Sequence, residues 1–491
     1  MNTILAIDQG TSSTRARLYT TKGEILYTCQ AELTTHYPQL GRVEQDGDGI
    51  WVSVQKVIQE IKKYAEGHKI VACGIANQRE TSLLWQRTTG QCIGPAIVWQ
   101  DRRTADWCKL FENKRPLIHQ KTGLLPDPYF SASKIRWMLD NYSLAQPLLL
   151  NDDLAFGTVD SYLLWKLSNG RTHKTDVTNA TRTMLFNLNT LRWDQDLLAL
   201  FDIPENILPE VCASYSHFTA IDKKWFGYEI PVCAVLGDQQ AALIGQCVFN
   251  GGMIKATYGT GGFLLMNVGT KPYFSENGLL TTIAYQVGES VCYGLEGSIY
   301  QAGTMIKWLR DEMNLLDCAA QSEVYAASLN DNGGVYLLPS FTGMGAPYWH
   351  TATGGRIYGL SLNPKPAHFA RAALEAVSYQ TCDVLKCMSM DTDIPLQVMR
   401  VDGGMVVNNW LLQRLADQCQ ISVQRPKDIE TTAYGAAMMA AIGAGIYHSL
   451  EELSQHWQMD DCFVPESRMR DSVMKDYEKW SSIVHSYLRE R

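Results

Sequence analysis

Asp8-Gln9-Gly10-Thr11-Ser12-Ser13-Thr14-Arg15 lies between the apolar run Thr3-Ile4-Leu5-Ala6-Ile7 and a return run Ala16-Arg17-Leu18-Tyr19. A counterpart stands in the second half of the chain, Tyr258-Gly259-Thr260-Gly261-Gly262-Phe263, entered by Gly252-Met253-Ile254-Lys255-Ala256-Thr257 and left by Phe263-Leu264-Leu265-Met266. Both read as hairpins bent through small residues. Glycine lets backbone N–H groups converge on an anion, and Thr and Ser hydroxyls add donors beside them. One such hairpin is an ordinary turn. Two, at corresponding places in two halves, predict a duplicated α/β unit with a nucleotide cleft between the copies.

Working outward, short strand-like runs at 71–76, 83–85 and 96–98 alternate with helical periodicity at 50–64 and 133–142. A further strand, Val232-Cys233-Ala234-Val235-Leu236, runs into Gly237-Asp238-Gln239-Gln240 and an alanine-rich helix start. The boundary is placed near Phe249, giving domains 1–249 and 250–491. The second half predicts helices at 302–313, 367–388 and 408–418, and a strand at 398–401 entering Asp402-Gly403-Gly404. The small-residue run 433–446 is too short for a bilayer span and reads as a buried helix packed closely on a neighbour. Residues 451–491 read only as helices.

A net charge of -8 without basic runs argues against nucleic acid or an anionic membrane as the main partner. Thirteen scattered cysteines without a C-x-x-C pair read as reduced thiols. The strand beginning within three residues of Met1 leaves no room for a signal peptide, so the expected compartment is the cytoplasm.

Phosphoryl transfer needs the phosphates held, a divalent metal placed and an acceptor hydroxyl aligned beside a base. Asp8 ends a strand just before the first hairpin, where its carboxylate can hold Mg²⁺ through waters. Asp238 closes another apolar strand, where α/β proteins place ligands; on local sequence it serves equally well as a helix N-cap. Asn77-Gln78-Arg79-Glu80-Thr81 interrupts two apolar runs, as a surface hairpin would, yet Arg79 beside Glu80 offers a forked donor and a double acceptor suited to neighbouring hydroxyls. Trp99 could cover the C–H face of such a polyol.

These residues, with Gly74-Ile75-Ala76-Asn77-Gln78-Arg79-Glu80-Thr81, Trp99-Gln100-Asp101-Arg102-Arg103-Thr104, Asp127-Pro128-Tyr129-Phe130-Ser131, Gly237-Asp238-Gln239-Gln240-Ala241-Ala242, Phe341-Thr342-Gly343 and Asp402-Gly403-Gly404, closely resemble the glycerol-phosphorylating branch of the FGGY carbohydrate kinases, from Ile4 to about Tyr447. The resemblance implies two actin-like, ribonuclease H-type domains flanking a nucleotide cleft, and ATP- and Mg²⁺-dependent conversion of glycerol to sn-glycerol 3-phosphate in a homo-oligomer. Carried over position by position, it implies that Arg79, Glu80, Tyr129, Asp238 and Gln239 hold the hydroxyls, with Trp99 and Phe263 against the carbon chain. Asp238 would be the general base. Thr11, Ser12, Ser13 and Arg15 match the first phosphate loop, Thr260 the second, and Gly303, Gly404 and Asn408 the nucleotide side. Lys307 stands where the family pattern has glutamine, which puts one base or ribose contact in question. Rival readings are another polyol or ketose kinase of the family, disfavoured by Arg79-Glu80, a non-catalytic actin-like ATP switch, which needs no polyol pocket, and a catalytically silent sensor, against which intact Asp8 and Asp238 stand.

Overall fold

The computed structural model describes residues 1–350 and 354–490. The first apolar run forms the strand Asn2–Gln9 and its return the strand Ser13–Thr20, paired antiparallel with Asp8 opposite Arg15. They belong to a six-stranded sheet ordered Tyr215–Ile221, Ile230–Gly237, Lys69–Asn77, Asn2–Gln9, Ser13–Thr20, Ile25–Glu32. Its three central strands run parallel. The helix Gly47–Tyr64 packs on this sheet because Ile50, Val54, Val57, Ile58 and Ile61, three and four residues apart, form one buried stripe. Asp46 caps it, accepting from the Asp48 N–H at 3.1 Å.

The second hairpin repeats the plan. Strands Met253–Tyr258 and Gly262–Gly269 pair antiparallel, and the first of them runs parallel to Val398–Asp402, which runs parallel to Ser422–Pro426. The full order is Leu280–Val287, Ser290–Ile299, Gly262–Gly269, Met253–Tyr258, Val398–Asp402, Ser422–Pro426, Met459–Phe463. Each half is thus an antiparallel hairpin whose leading strand starts a parallel run, the expected duplicated α/β architecture. The runs at 83–85 and 96–98 do not join the first main sheet. They contribute the strands Ser82–Gln86 and Ala96–Ile97 to a separate four-stranded sheet with Glu44–Gln45 and Leu154–Thr158.

The small-residue run becomes the helix Thr431–Gly443, which follows the second sheet's parallel strands in sequence but packs on the first sheet and on the helix Asp238–Gly245. Contact is backbone to backbone. A methyl group on Gly435 would lie 1.8 Å from the Ala241 carbonyl oxygen, one on Gly245 2.1 Å from that of Thr431, and one on Gly74 2.0 Å from that of Ala436. Residues 451–491 are more than helices, because Met459–Phe463 pairs antiparallel with Ser422–Pro426 and supplies the sheet's edge. Its exposed acids hid it, since an edge strand needs no apolar alternation on its open side. The closing helix Arg470–Arg489 docks through Trp480 and Tyr477, both donating to buried Asp383.

Candidate active site

The sheet register gathers the first set of site residues. Asp8 lies opposite Ala76, and Gln9 and Gly237 both lie opposite Asn77, so Gln9, Asn77 and Gly237 end three adjacent parallel strands at one edge of the sheet, with Asp8 one residue before that edge. Asp238 follows as the first residue of the helix Asp238–Gly245. The N-cap position belongs to Gly237, and the Asp238 carboxylate accepts the adjacent Gln239 N–H at 2.7 Å. Capping therefore does not account for Asp238. Its side chain is 31% exposed and faces the Arg79 Nε at 3.3 Å.

The first hairpin is closed by the Gly10 N–H donating to the Ser13 carbonyl at 2.9 Å, with Ser12 exposed and Thr11 and Ser13 partly so. The Trp99 indole N–H donates to the Thr11 hydroxyl at 2.9 Å, tying this hairpin to the aromatic residues. The Trp99 ring lies 5.9 Å from that of Tyr129 and 6.0 Å from that of Phe263, both edge-on. Three aromatic residues distant in sequence thus share one wall. In the second hairpin, Thr260 is exposed and its carbonyl accepts the Ala302 and Thr304 N–H groups. Gly303 packs against this turn so tightly that a Cβ would lie 2.5 Å from the Gly259 oxygen.

Three expected nucleotide-side residues are placed less simply. Arg15 makes an ion pair with Glu430 and donates to Gln30 at 3.1 Å, so its guanidinium is engaged by carboxylate and amide rather than held open. Asn408 caps the helix Asn409–Cys419, accepting the Leu411 N–H at 2.9 Å, which commits its carbonyl to the backbone. Lys307 is exposed on the helix Gly303–Asp311, one turn beyond Gly303. Gly404 has open space where a side chain would stand. Asp402 is a brace, accepting from Thr257, from Gln246 at 3.0 Å and from Thr431 at 2.6 Å.

On the side expected to take the polyol, Arg79 and Glu80 are both buried, and neither pairs closely with the other. Arg79 donates to Glu296 through Nη1 at 2.5 Å and Nη2 at 3.2 Å, and to the Tyr129 hydroxyl at 3.4 Å. Glu80 accepts from Arg182 Nε at 2.6 Å. Glu80 holds a left-handed backbone, φ 59°, unusual outside glycine. Its carbonyl is gripped by Lys134 Nζ at 3.0 Å, which also reaches the Tyr129 carbonyl at 2.6 Å. Gln239 accepts from buried Lys255.

Glu296, Arg182, Lys134 and Lys255 escaped the sequence reading. The signals were a lone acid in the apolar strand Ser290–Ile299, a lone cation in Met253–Tyr258, a charge inside the helix Ser131–Asn141, and a charge in the turn after the short helix Val177–Ala180. Each resembles an ordinary surface residue until tertiary packing buries it.

Burial dominates the electrostatics. It lifts the Asp8 carboxyl to about 7, with the Asp238 charge adding to the effect and Arg15 and Arg17 opposing it. Burial also raises Asp238, countered by Arg79 and then Lys255. Burial lowers the Lys134 amine to about 8. Asp238 is thus an acid raised by desolvation and steadied by two cations, Arg79 and Lys255.

The chain matches the model of the FGGY family of carbohydrate kinases, N-terminal domain, over residues 3–245, and that of the C-terminal domain over 254–444. It is 47% identical to a glycerol kinase of Coxiella burnetii strain Dugway 5J108-111, over 99% of this chain and 97% of that protein, and 47% identical to glycerol kinase 1 of Pseudomonas aeruginosa, over 94% of each. The crystal structure of Plasmodium falciparum glycerol kinase with ADP superposes with a TM-score of 0.93 at 33% identity, covering 100% of this chain and 99% of that one. A ligand-bound xylulose kinase from Lactobacillus acidophilus gives 0.90 at 20% identity, covering 100% and 99%, a likeness of fold. With both domain models matched in order and full-length relatives at this identity, the chain belongs to the FGGY family of carbohydrate kinases.

Proposed function

We propose that this protein transfers the γ-phosphoryl group of ATP to a terminal hydroxyl of glycerol, giving sn-glycerol 3-phosphate and ADP, with Asp238 as general base. The observation that carries the reading is Asp238, directly after the parallel strand Ile230–Gly237, joined by Arg79 to the buried cluster of Glu296, Arg182 and Glu80. As the terminal oxygen of glycerol forms its bond to the γ-phosphorus and the bond to the β–γ bridging oxygen breaks, Asp238 takes the hydroxyl proton. Arg79, Glu80, Tyr129 and Gln239 orient the hydroxyls, and Trp99 with Phe263 covers the C–H face. Thr11, Ser12, Ser13 and Thr260 present hairpin donors to the phosphates, with Arg15, Gly303, Lys307, Gly404 and Asn408 on the nucleotide side.

The residues around Asp8 suit a magnesium ion. Two carboxylates, Asp8 and Asp238, influence one another, while the nearby cations Arg15 and Arg17 are engaged by Glu430 and Asp428. Asp8, its nearest cations engaged elsewhere, is the kind of hard oxygen donor that a hard dication takes, while Asp238 already faces Arg79. Asp8 would hold it through waters, and the ion would neutralise charge on the phosphates.

The test is ADP release with glycerol, xylulose, ribulose and erythritol supplied separately. Glycerol is expected to give the highest kcat/KM. A ketose ahead of glycerol would overturn the assignment in favour of another kinase of the family, and ATP hydrolysis unaffected by any of the four would favour the ATP-switch reading.

A further inference from the structure

Glu296 is a fully buried acid on the strand Ser290–Ile299 in the second half of the chain, yet both of its closest partners lie in the first half. Its Oε2 accepts from Arg79 Nη1 at 2.5 Å, and its Oε1 from Arg79 Nη2 at 3.2 Å and Arg182 Nη2 at 2.9 Å. Arg182 in turn holds Glu80 through Nε at 2.6 Å. The four side chains are 0–2% exposed and form one continuous chain, Glu80 to Arg182 to Glu296 to Arg79, which ends at Asp238. Two cations and two anions leave the quartet neutral.

Stability alone gives little reason for such a cluster. Removing each ion from water costs several kcal/mol, and well-packed apolar residues of similar volume usually do as well or better. Arg182 also keeps one nitrogen, Nη1, buried with no hydrogen-bond partner among the described residues, while its guanidinium carbon lies 5.5 Å from the Tyr129 ring centre and 5.4 Å from that of Phe130. The arrangement does fix orientation. A carboxylate engaging both terminal nitrogens sets the plane of the Arg79 fork and leaves Nε towards Asp238. The Gly237 position accommodates it, since a Cβ there would lie 2.6 Å from Arg79 Cδ.

We propose that Glu296 and Arg182 are positioning residues for the polyol pocket: Glu296 sets the Arg79 fork, Arg182 sets the Glu80 carboxylate, and the pair fixes which array of hydroxyls is accepted. This rests on the glycerol reading above. It adds that the second half supplies, besides Phe263 against the carbon chain and its share of the nucleotide side, a charged determinant of polyol specificity.

Glu296→Gln keeps the shape and removes the charge. Arg182→Lys keeps the charge and removes the fork, so it cannot hold Glu80 and Glu296 together. The glycerol KM of each variant is expected to rise roughly 10- to 150-fold, the worth of one charge-assisted hydrogen bond, with the ATP KM within about twofold of the parent. The ratio of kcat/KM for glycerol over propane-1,3-diol is expected to fall by about tenfold or more, since an unset fork no longer reads the missing hydroxyl. Thermal midpoints identify any variant that has simply unfolded, and Arg182→Lys, with its charge intact, keeps the test decisive if Glu296→Gln does not fold. Folded variants with an unchanged glycerol KM and an unchanged ratio would overturn the proposal, as would equal rises in the glycerol and ATP KM, which indicate a structural role only. A parent enzyme that prefers another polyol refutes the glycerol assignment instead, and the same KM split is then read on that polyol.

Discussion

Asp238 shows how a single residue acquires a role that its neighbours in sequence leave open. Gly237 takes the cap position, so the Asp238 carboxylate is left to face Arg79 Nε. Asp238→Asn is expected to lose roughly 10² to 10⁴-fold in kcat while glycerol still binds, because an amide keeps an acceptor but takes no proton. Near-normal turnover in the purified variant would reject Asp238 as the base. Asp8→Ala is expected to abolish most activity in a way that raising magnesium does not restore, since the ion's protein anchor is gone. A magnesium titration matching the parent's would leave Asp8 as a turn residue. Of the polyol residues, Arg79 and Glu80 were visible as an adjacent pair, but their actual partners, Glu296 and Arg182, lie over 100 positions away. No local pattern could pair them.

Among the elements, the helix Thr431–Gly443 carries the least ambiguous physical message. Its small residues let backbone touch backbone, which excludes water and any added side chain. Gly435→Ala would put a methyl 1.8 Å from the Ala241 carbonyl oxygen. Either the two helices part or the backbone shifts, so a loss of about 1–3 kcal/mol or more is expected in urea unfolding. An unchanged midpoint would show that the helices separate freely. The sequence announced a close-packed helix there, because small residues in a run permit nothing else. It did not announce the partner, since the same run would fit any flat surface. The edge strand Met459–Phe463 was missed for the opposite reason: it is paired on one side only and mostly exposed, so its side chains carry no burial pattern.

At the scale of the whole molecule, His173, remote from the chemistry, makes one distinct contribution to the pH dependence of stability. The His173 ring packs against Trp85 and Trp165; Nε2–H donates to the Phe156 carbonyl at 2.8 Å, and Arg87 Nη1 lies 3.2 Å from Nδ1, which must therefore accept. That arrangement requires the neutral ring. Burial, reinforced by the Arg87 charge, lowers its pKa to about 4. Between pH 6.5 and about 4 the unfolded chain binds a proton at this ring that the folded chain refuses, so the His173 contribution to stability falls as the pH drops through this window, by up to about 3 kcal/mol, against the opposite trend of the buried carboxyls Asp8, Asp160 and Asp176, which burial raises. Urea unfolding of the parent and of His173→Gln should show the steeper acid loss in the parent. Equal slopes would remove His173 from the account.

By itself the sequence determined the duplicated hairpins and the α/β alternation, and it singled out the residue types of the candidate site. These are local facts: a turn needs its glycines where the chain bends, and a half-buried strand or helix shows its period within a dozen residues. Only the tertiary structure decided that Glu296 pairs with Arg79, that Arg15 meets Glu430, that Asn408 commits its carbonyl to a helix end, and that the alanine-rich helix crosses to the first sheet. Charge pairing and backbone contact act through space at a few ångströms, and a chain that returns after hundreds of residues keeps no record of that distance in its local composition.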